Sequence, residues 1–68
     1  MTELIFEVRE DPEGGYVAKA LSAAIFTEAE DLETLRDAIR DAVRCHFDPG
    51  QEPKAIRLII IREEVLAA

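Results

Sequence analysis

Asp11-Pro12-Glu13-Gly14-Gly15 lies between two stretches of alternating apolar and polar residues, and it constrains the fold more than any other segment. Proline presets φ at one turn position, and the two glycines accept positive φ. Before the turn, residues 3–9 place Leu4, Phe6 and Val8 on one side and Ile5, Glu7 and Arg9 on the other. That is the period of two of a half-buried strand. After the turn, Tyr16–Leu21 places Tyr16, Ala18 and Ala20 on one face, where small side chains let a helix come close. The pattern predicts a β-hairpin with one face turned to a core.

A third, short strand is expected over Ala23–Thr27, where Ile25, Phe26 and Thr27 suit extended backbone. Asp31 then reads as a helix N-cap. From Leu32 the period becomes helical: Leu35, Ala38, Ile39, Ala42, Val43, His46 and Phe47 share one face. On the opposite face Glu33–Arg36, Asp37–Arg40 and Asp41–Arg44 are spaced for ion pairs, each adding about 0.2–0.5 kcal/mol. Asp48-Pro49-Gly50 stops the helix near Phe47. Ala55–Arg62 is the last strand. Ile56, Leu58 and Ile60 form one face, and Ile59 and Ile61 are apolar on the other. A strand apolar on both faces needs cover on both. One helix covers one face, so the second face needs another chain, or the segment Glu63-Glu64-Val65-Leu66 folding back.

With 68 residues the chain makes one domain, residues 1–68, with a marginal core. Such domains are reinforced by disulfides, a metal or oligomerisation. Cys45 is the only cysteine, so no internal disulfide forms, and a lone thiol fits a reducing, cytoplasmic setting. His46 is the only histidine, and two adjacent residues on a helix point about 100° apart, which suits shared zinc coordination poorly. No metal or other cofactor is expected, and His46 is expected on the buried face. That leaves a homo-oligomer. The 15 acidic and 8 basic side chains give a formal net charge of −7, which repels nucleic acid and anionic membranes and suits a basic protein partner. The longest apolar run, Leu58-Ile59-Ile60-Ile61, is far short of the ~20 residues a membrane span needs.

The sequence holds no constellation that would make it an enzyme. Gly14-Gly15 precedes a strand, not the helix a phosphate loop requires. Cys45 has no placed base except its neighbour. Glu10, Asp11 and Glu13 lie on a hairpin tip, where nothing desolvates them for acid–base work. They read instead as a solvated turn or as an acidic contact for a basic partner. Arg36, Arg40 and Arg44 form a stripe that interleaved acids cancel, without aromatic residues to stack on bases.

The run Glu7-Val8-Arg9-Glu10-Asp11-Pro12-Glu13-Gly14-Gly15-Tyr16-Val17-Ala18 resembles the HicB-like antitoxin family, with its acidic turn and Gly-Gly-Tyr-x-Ala strand. Phe26-Thr27-Glu28-Ala29, Asp31-Leu32-Glu33, Ala38-Ile39 and Ala42-Val43 extend the likeness over roughly residues 4–47. Ala29-Glu30 stands where the family usually has a glycine, and Thr34-Leu35 where it has Glu-Ala. The resemblance implies a fold similar to a truncated ribonuclease H without its catalytic carboxylates. It also implies a role in covering and inactivating a small, basic, RNA-cleaving toxin of the HicA type. Many family members add a C-terminal DNA-binding segment. This sequence runs only to Ala68, so no direct nucleic-acid binding is expected of it.

Together these readings predict an α+β domain of order βββαβ, a mainly antiparallel sheet with one helix on one face. The expected core is Leu4, Phe6, Val8, Ala18, Leu35, Ile39, Val43, Ile56, Leu58 and Ile60. The expected partner contacts are Glu10, Asp11, Glu13 and Tyr16. The expected oligomer interface is Ile5, Val17, Ile59 and Ile61. The alternative function is a stand-alone homo-oligomeric regulatory or structural subunit with no toxin.

Overall fold

The computed structural model describes residues 2–68. Its elements run β1 (Glu3–Glu10), β2 (Tyr16–Ala20), β3 (Phe26–Ala29), α1 (Leu32–His46) and β4 (Ala55–Ile61), the expected βββαβ order. One four-stranded sheet has the spatial order β3-β2-β1-β4. β1 pairs antiparallel with β2, from Phe6↔Ala20 to Glu10↔Tyr16, and β2 antiparallel with β3, from Tyr16↔Ala29 to Lys19↔Phe26. β4 joins β1 in parallel, from Glu3↔Ala55 to Arg9↔Ile61, because the helix carries the chain back across the sheet before β4 begins.

The hairpin turn follows its chemistry. Gly14 N–H donates to the Asp11 carbonyl and Asp11 N–H to the Gly15 carbonyl, each at 2.9 Å. Pro12 takes the turn position its ring presets, and Gly14 closes the three-residue loop at φ +109°. The Asp11 carboxylate accepts from Glu13 N–H at 2.9 Å, fastening the turn from inside.

Asp31 caps the helix, its Oδ1 accepting from Thr34 N–H at 2.7 Å. Hydrogen bonds from the Thr34 and Glu33 backbones hold the Asp31 carboxyl below its ordinary value, Thr34 dominating. The Asp37–Arg40 and Asp41–Arg44 pairs form on the outer face of the helix; among the described residues no Glu33–Arg36 pair does.

The core lies between the helix and one sheet face. Leu4, Phe6, Val8, Ala18, Leu35, Ile39 and Val43 are buried there, as the pattern predicts. Each large side chain among them contributes about 1.5–3 kcal/mol through burial. Ala20 and Ile25 belong to this core too.

Four expectations need correction. The third strand is Phe26–Ala29 and not Ala23–Thr27, because residues 21–24 are consumed in reversing the chain. Ile25 N–H donates to the Ala23 carbonyl at 2.9 Å, and Ala20 N–H to the Ile25 carbonyl at 3.0 Å. Ile60 is not core: it is 49% exposed, while Ile56 and Leu58 are half-buried. The helix lies against β3 and β2, so the inner face of β4 projects beyond its cover. His46 is exposed, because the last turn of α1 runs past the packed layer; Phe47 packs onto the core in its place. The C-terminal segment does not fold back. Val65 is 97% and Leu66 83% exposed, and the molecule stretches to 51 × 19 × 18 Å.

Candidate binding surfaces

The four residues expected to meet a partner cluster at the hairpin end of the sheet, with Asp11 shared between two shallow pockets there. Asp11 and Tyr16 line a shallow cleft of about 350 Å³ with Gly14, Gly15, Glu28, Ala29 and Glu30. Asp11 is there as the fastener of the turn, and Tyr16 is half-buried against the core. Glu13 is exposed at the tip. Glu10 stands opposite Tyr16 in the β1–β2 register and lines a neighbouring shallow pocket with Asp11 and Pro12, its carboxylate tied to Arg62 Nε at 3.2 Å. The pairing of β2 with β3 adds Glu28 and Glu30, which sequence reasoning missed because they are remote in the chain and become neighbours only through the Tyr16↔Ala29 register. The cleft lining therefore carries Asp11, Glu28 and Glu30 and no lysine or arginine.

Gly15 lets the cleft exist. At φ +83° it brings β2 so close to β3 that an added Cβ would stand 2.8 Å from the Ala29 carbonyl oxygen. The Gly-Gly-Tyr signature is thus a device for close backbone approach, and only its tyrosine brings a side chain to the surface.

The outer sheet face is the second surface. The alternation of the strands puts Ile5, Val17, Ile59 and Ile61 on it, as expected for the oligomer residues. Ile5, Val17 and Ile61 are half-buried, and Ile59 is 44% exposed. Leu21 (55% exposed) and Phe26 (63% exposed) enlarge the apolar area. Charges interrupt it: Arg57 donates two hydrogen bonds to Glu3, at 2.9 and 3.0 Å, which hold the Glu3 carboxyl below its ordinary value. Arg9 donates to Glu7 at 2.8 Å and to Glu63 at 3.3 Å.

Cys45 and His46 are both exposed on the last helical turn, where the His46 ring meets Phe47 edge-on with centroids 5.0 Å apart. Among the described residues no group of three or more His, Cys, Asp or Glu side chains is placed to hold a metal ion. No described helix is long and apolar enough to cross a membrane.

Fold and surfaces together define a small single-sheet α+β domain with an acidic cleft at one end and an open apolar sheet face. Relatives agree over most of that length. A UPF0150 protein of Thermotoga maritima is 37% identical over 65 residues, covering 96% of this chain and 91% of that protein. A UPF0150 protein of Archaeoglobus fulgidus is 49% identical over 45 residues, covering 66% of this chain and 68% of that protein. The chain belongs to the UPF0150 protein family. No family model matches it, and no solved structure does.

Proposed function

We propose that the chain is an antitoxin-like protein-binding module that covers and inactivates a small, basic, RNA-cleaving toxin. The observation that carries this reading is the cleft lined by Asp11, Glu28 and Glu30 without a cation, in a chain of net charge −7. A surface of one sign recruits a partner of the opposite sign and speeds the encounter. The likeness of residues 4–47 to HicB-like antitoxins supports the same partner class. Within this reading Glu13, Glu28 and Glu30 make the polar contact and Tyr16 supplies an aromatic edge, while Asp11 serves by holding the turn.

The test is a binding and inhibition assay with the small basic protein retained from native lysate. Support is an RNA-cleaving partner that the added chain silences and high salt releases. Reversing Glu28 and Glu30 to lysine then slows association about tenfold at low salt. A retained protein that does not cleave RNA, or an association rate unmoved by the reversal, overturns the reading.

The exposed apolar residues Leu21, Phe26 and Ile59 favour a second reading, a stand-alone homo-oligomeric regulatory or structural subunit. Self-association without any retained RNA-cleaving partner selects it.

A further inference from the structure

β4 is an edge strand, and its open side is unusually well suited to pairing. Ala55 N–H donates to the Thr2 carbonyl at 3.1 Å, toward β1. Successive residues of a strand direct their backbone groups to opposite edges. Ile56, Leu58 and Ile60 therefore point their N–H and C=O groups away from β1, to the free edge. Protective devices on such edges are charged side chains, proline, bulges or brevity. β4 has seven residues, Ala-Ile-Arg-Leu-Ile-Ile-Ile, and its one charge, Arg57, is engaged by Glu3 of β1. β3, the other edge, is four residues long and carries Glu28 beside the acidic cleft.

Beside β4, on the helix side, runs a groove of about 490 Å³. Ile39, Ile56 and Leu58 lie in it, and Arg36, Lys54 and Arg40, the last paired with Asp37 at 3.1 Å, supply its charge with no carboxylate among the lining residues. It is a basic, apolar groove on an acidic protein. The segment after β4 has the complementary character: Glu63-Glu64 followed by exposed Val65-Leu66. Arg62 bonded to Glu10 and Arg9 bonded to Glu63 start this segment along the end of β1, away from the groove of its own chain.

We propose that β4 pairs antiparallel with β4 of a second copy about a two-fold axis at Ile59, and that the segment after β4 of each copy enters the groove of the other. The register follows from charge. Centred on Ile59, Leu58 opposes Ile60 of the second copy, which covers the inner face that α1 leaves open, and Lys54 opposes Glu64 of the second copy. Centred on Leu58, Lys54 meets Arg62 of the second copy twice. Centred on Arg57, two arginines meet on the axis. Centred on Ile60, Glu64 falls opposite Ile56. In the Ile59 register Ile56 faces Arg62 and Arg57 faces Ile61 at the margins, but Leu58, Ile59 and Ile60 of the two copies stay together, and of the four registers it alone sets lysine against glutamate. The two sheets become one of eight strands, with the acidic cleft at the β3 edge left free on each copy. The proposal is independent of the toxin reading.

Sedimentation velocity and cysteine cross-linking test it. The wild type sediments as a concentration-dependent dimer. Lys54→Glu and Glu64→Lys singly weaken the dimer about tenfold, since each reverses two symmetric pairs, and the double exchange restores it. In a Cys45→Ser background, Ile59→Cys forms a disulfide-linked dimer in air. A non-hydrogen-bonded antiparallel pair holds its Cα atoms about 4.5 Å apart, within disulfide range. Leu58→Cys does not cross-link. Amide exchange at Leu58 and Ile60 slows as concentration rises, which face-to-face stacking of the outer sheet faces does not produce. A chain that stays monomeric up to about 1 mM, a double exchange that fails to restore the dimer, or preferential linking through Leu58→Cys overturns the proposal.

Discussion

Gly15→Ala should destabilise the fold more than Gly50→Ala, although the two glycines hold nearly the same backbone. Their φ values are +83° and +84°. An alanine at either site meets the same left-handed strain, about 1–2 kcal/mol. Around Gly50 an added Cβ has no neighbour within 4 Å, so strain is the whole cost. At Gly15 the added Cβ stands 2.8 Å from the Ala29 carbonyl oxygen and 3.4 Å from Glu30 Cα. Both are backbone atoms, so no side chain can swing aside. Relief requires β2 and β3 to part at that end, which gives up the Tyr16↔Ala29 pairing. One or two backbone hydrogen bonds and a cross-strand pair amount to about 1–2 kcal/mol more. The assay is urea unfolding followed by circular dichroism, at one fixed protein concentration because self-association shifts apparent stability. With a denaturant slope of about 1 kcal/mol per M for a domain of this size, Gly15→Ala should melt about 1–2 M earlier than Gly50→Ala. Equal midpoints would refute the claim that Gly15 is there for close approach of the strands.

Two further outcomes follow from the structure. Asp31 and Glu3 titrate below their ordinary values in the folded chain, so their stabilisation is present above the unfolded carboxylate range and is lost as pH falls through the lower folded values. Thermal unfolding between about pH 5 and pH 2 should therefore decline less steeply in Asp31→Ala than in the wild type, and an unchanged slope would remove the cap as the cause. Cys45→Ser and His46→Ala should each alter stability by no more than about 0.5 kcal/mol, since both side chains are exposed, and neither should change zinc uptake measured by elemental analysis. A stoichiometric zinc lost with either substitution would contradict that.

The helix was the most legible element. Its cap at Asp31, its buried Leu35, Ile39 and Val43 and its stop before Asp48 all follow from local chemistry at a single period. The hairpin was legible for the same reason. What escaped depended on where elements lie relative to one another. Ile60 continues the alternation of β4 perfectly and is still half exposed, because the position of α1 over β2 and β3 is a tertiary fact. His46 continues the helical period and is exposed because the helix outruns its support. The acidic cleft needed Glu28 and Glu30 to be brought beside Asp11, and nothing local to β3 signals that. Glu10, adjacent to Asp11 in the chain, is engaged by Arg62, a pairing that only the β1–β4 register brings about. The outer-face isoleucines were placed correctly by strand alternation alone, but Leu21 and Phe26 were not, since both flank the connection whose course was misjudged.

The connectivity of β1 has a consequence for biosynthesis. β1 is a central strand, yet its two neighbours come from very different distances along the chain: β2 immediately after it, and β4 with Glu3 facing Ala55. Closing a loop ten times longer costs only about 2 kcal/mol more by chain entropy, so the late partner is thermodynamically affordable. In time it is not equivalent. A growing polypeptide can form the hairpin, add β3 and lay down the helix while Leu4, Phe6 and Val8 still have one bare flank. That flank is closed only when residue 61 has left the ribosome, so a chain stalled or cut before β4 carries its middle strand as an open edge.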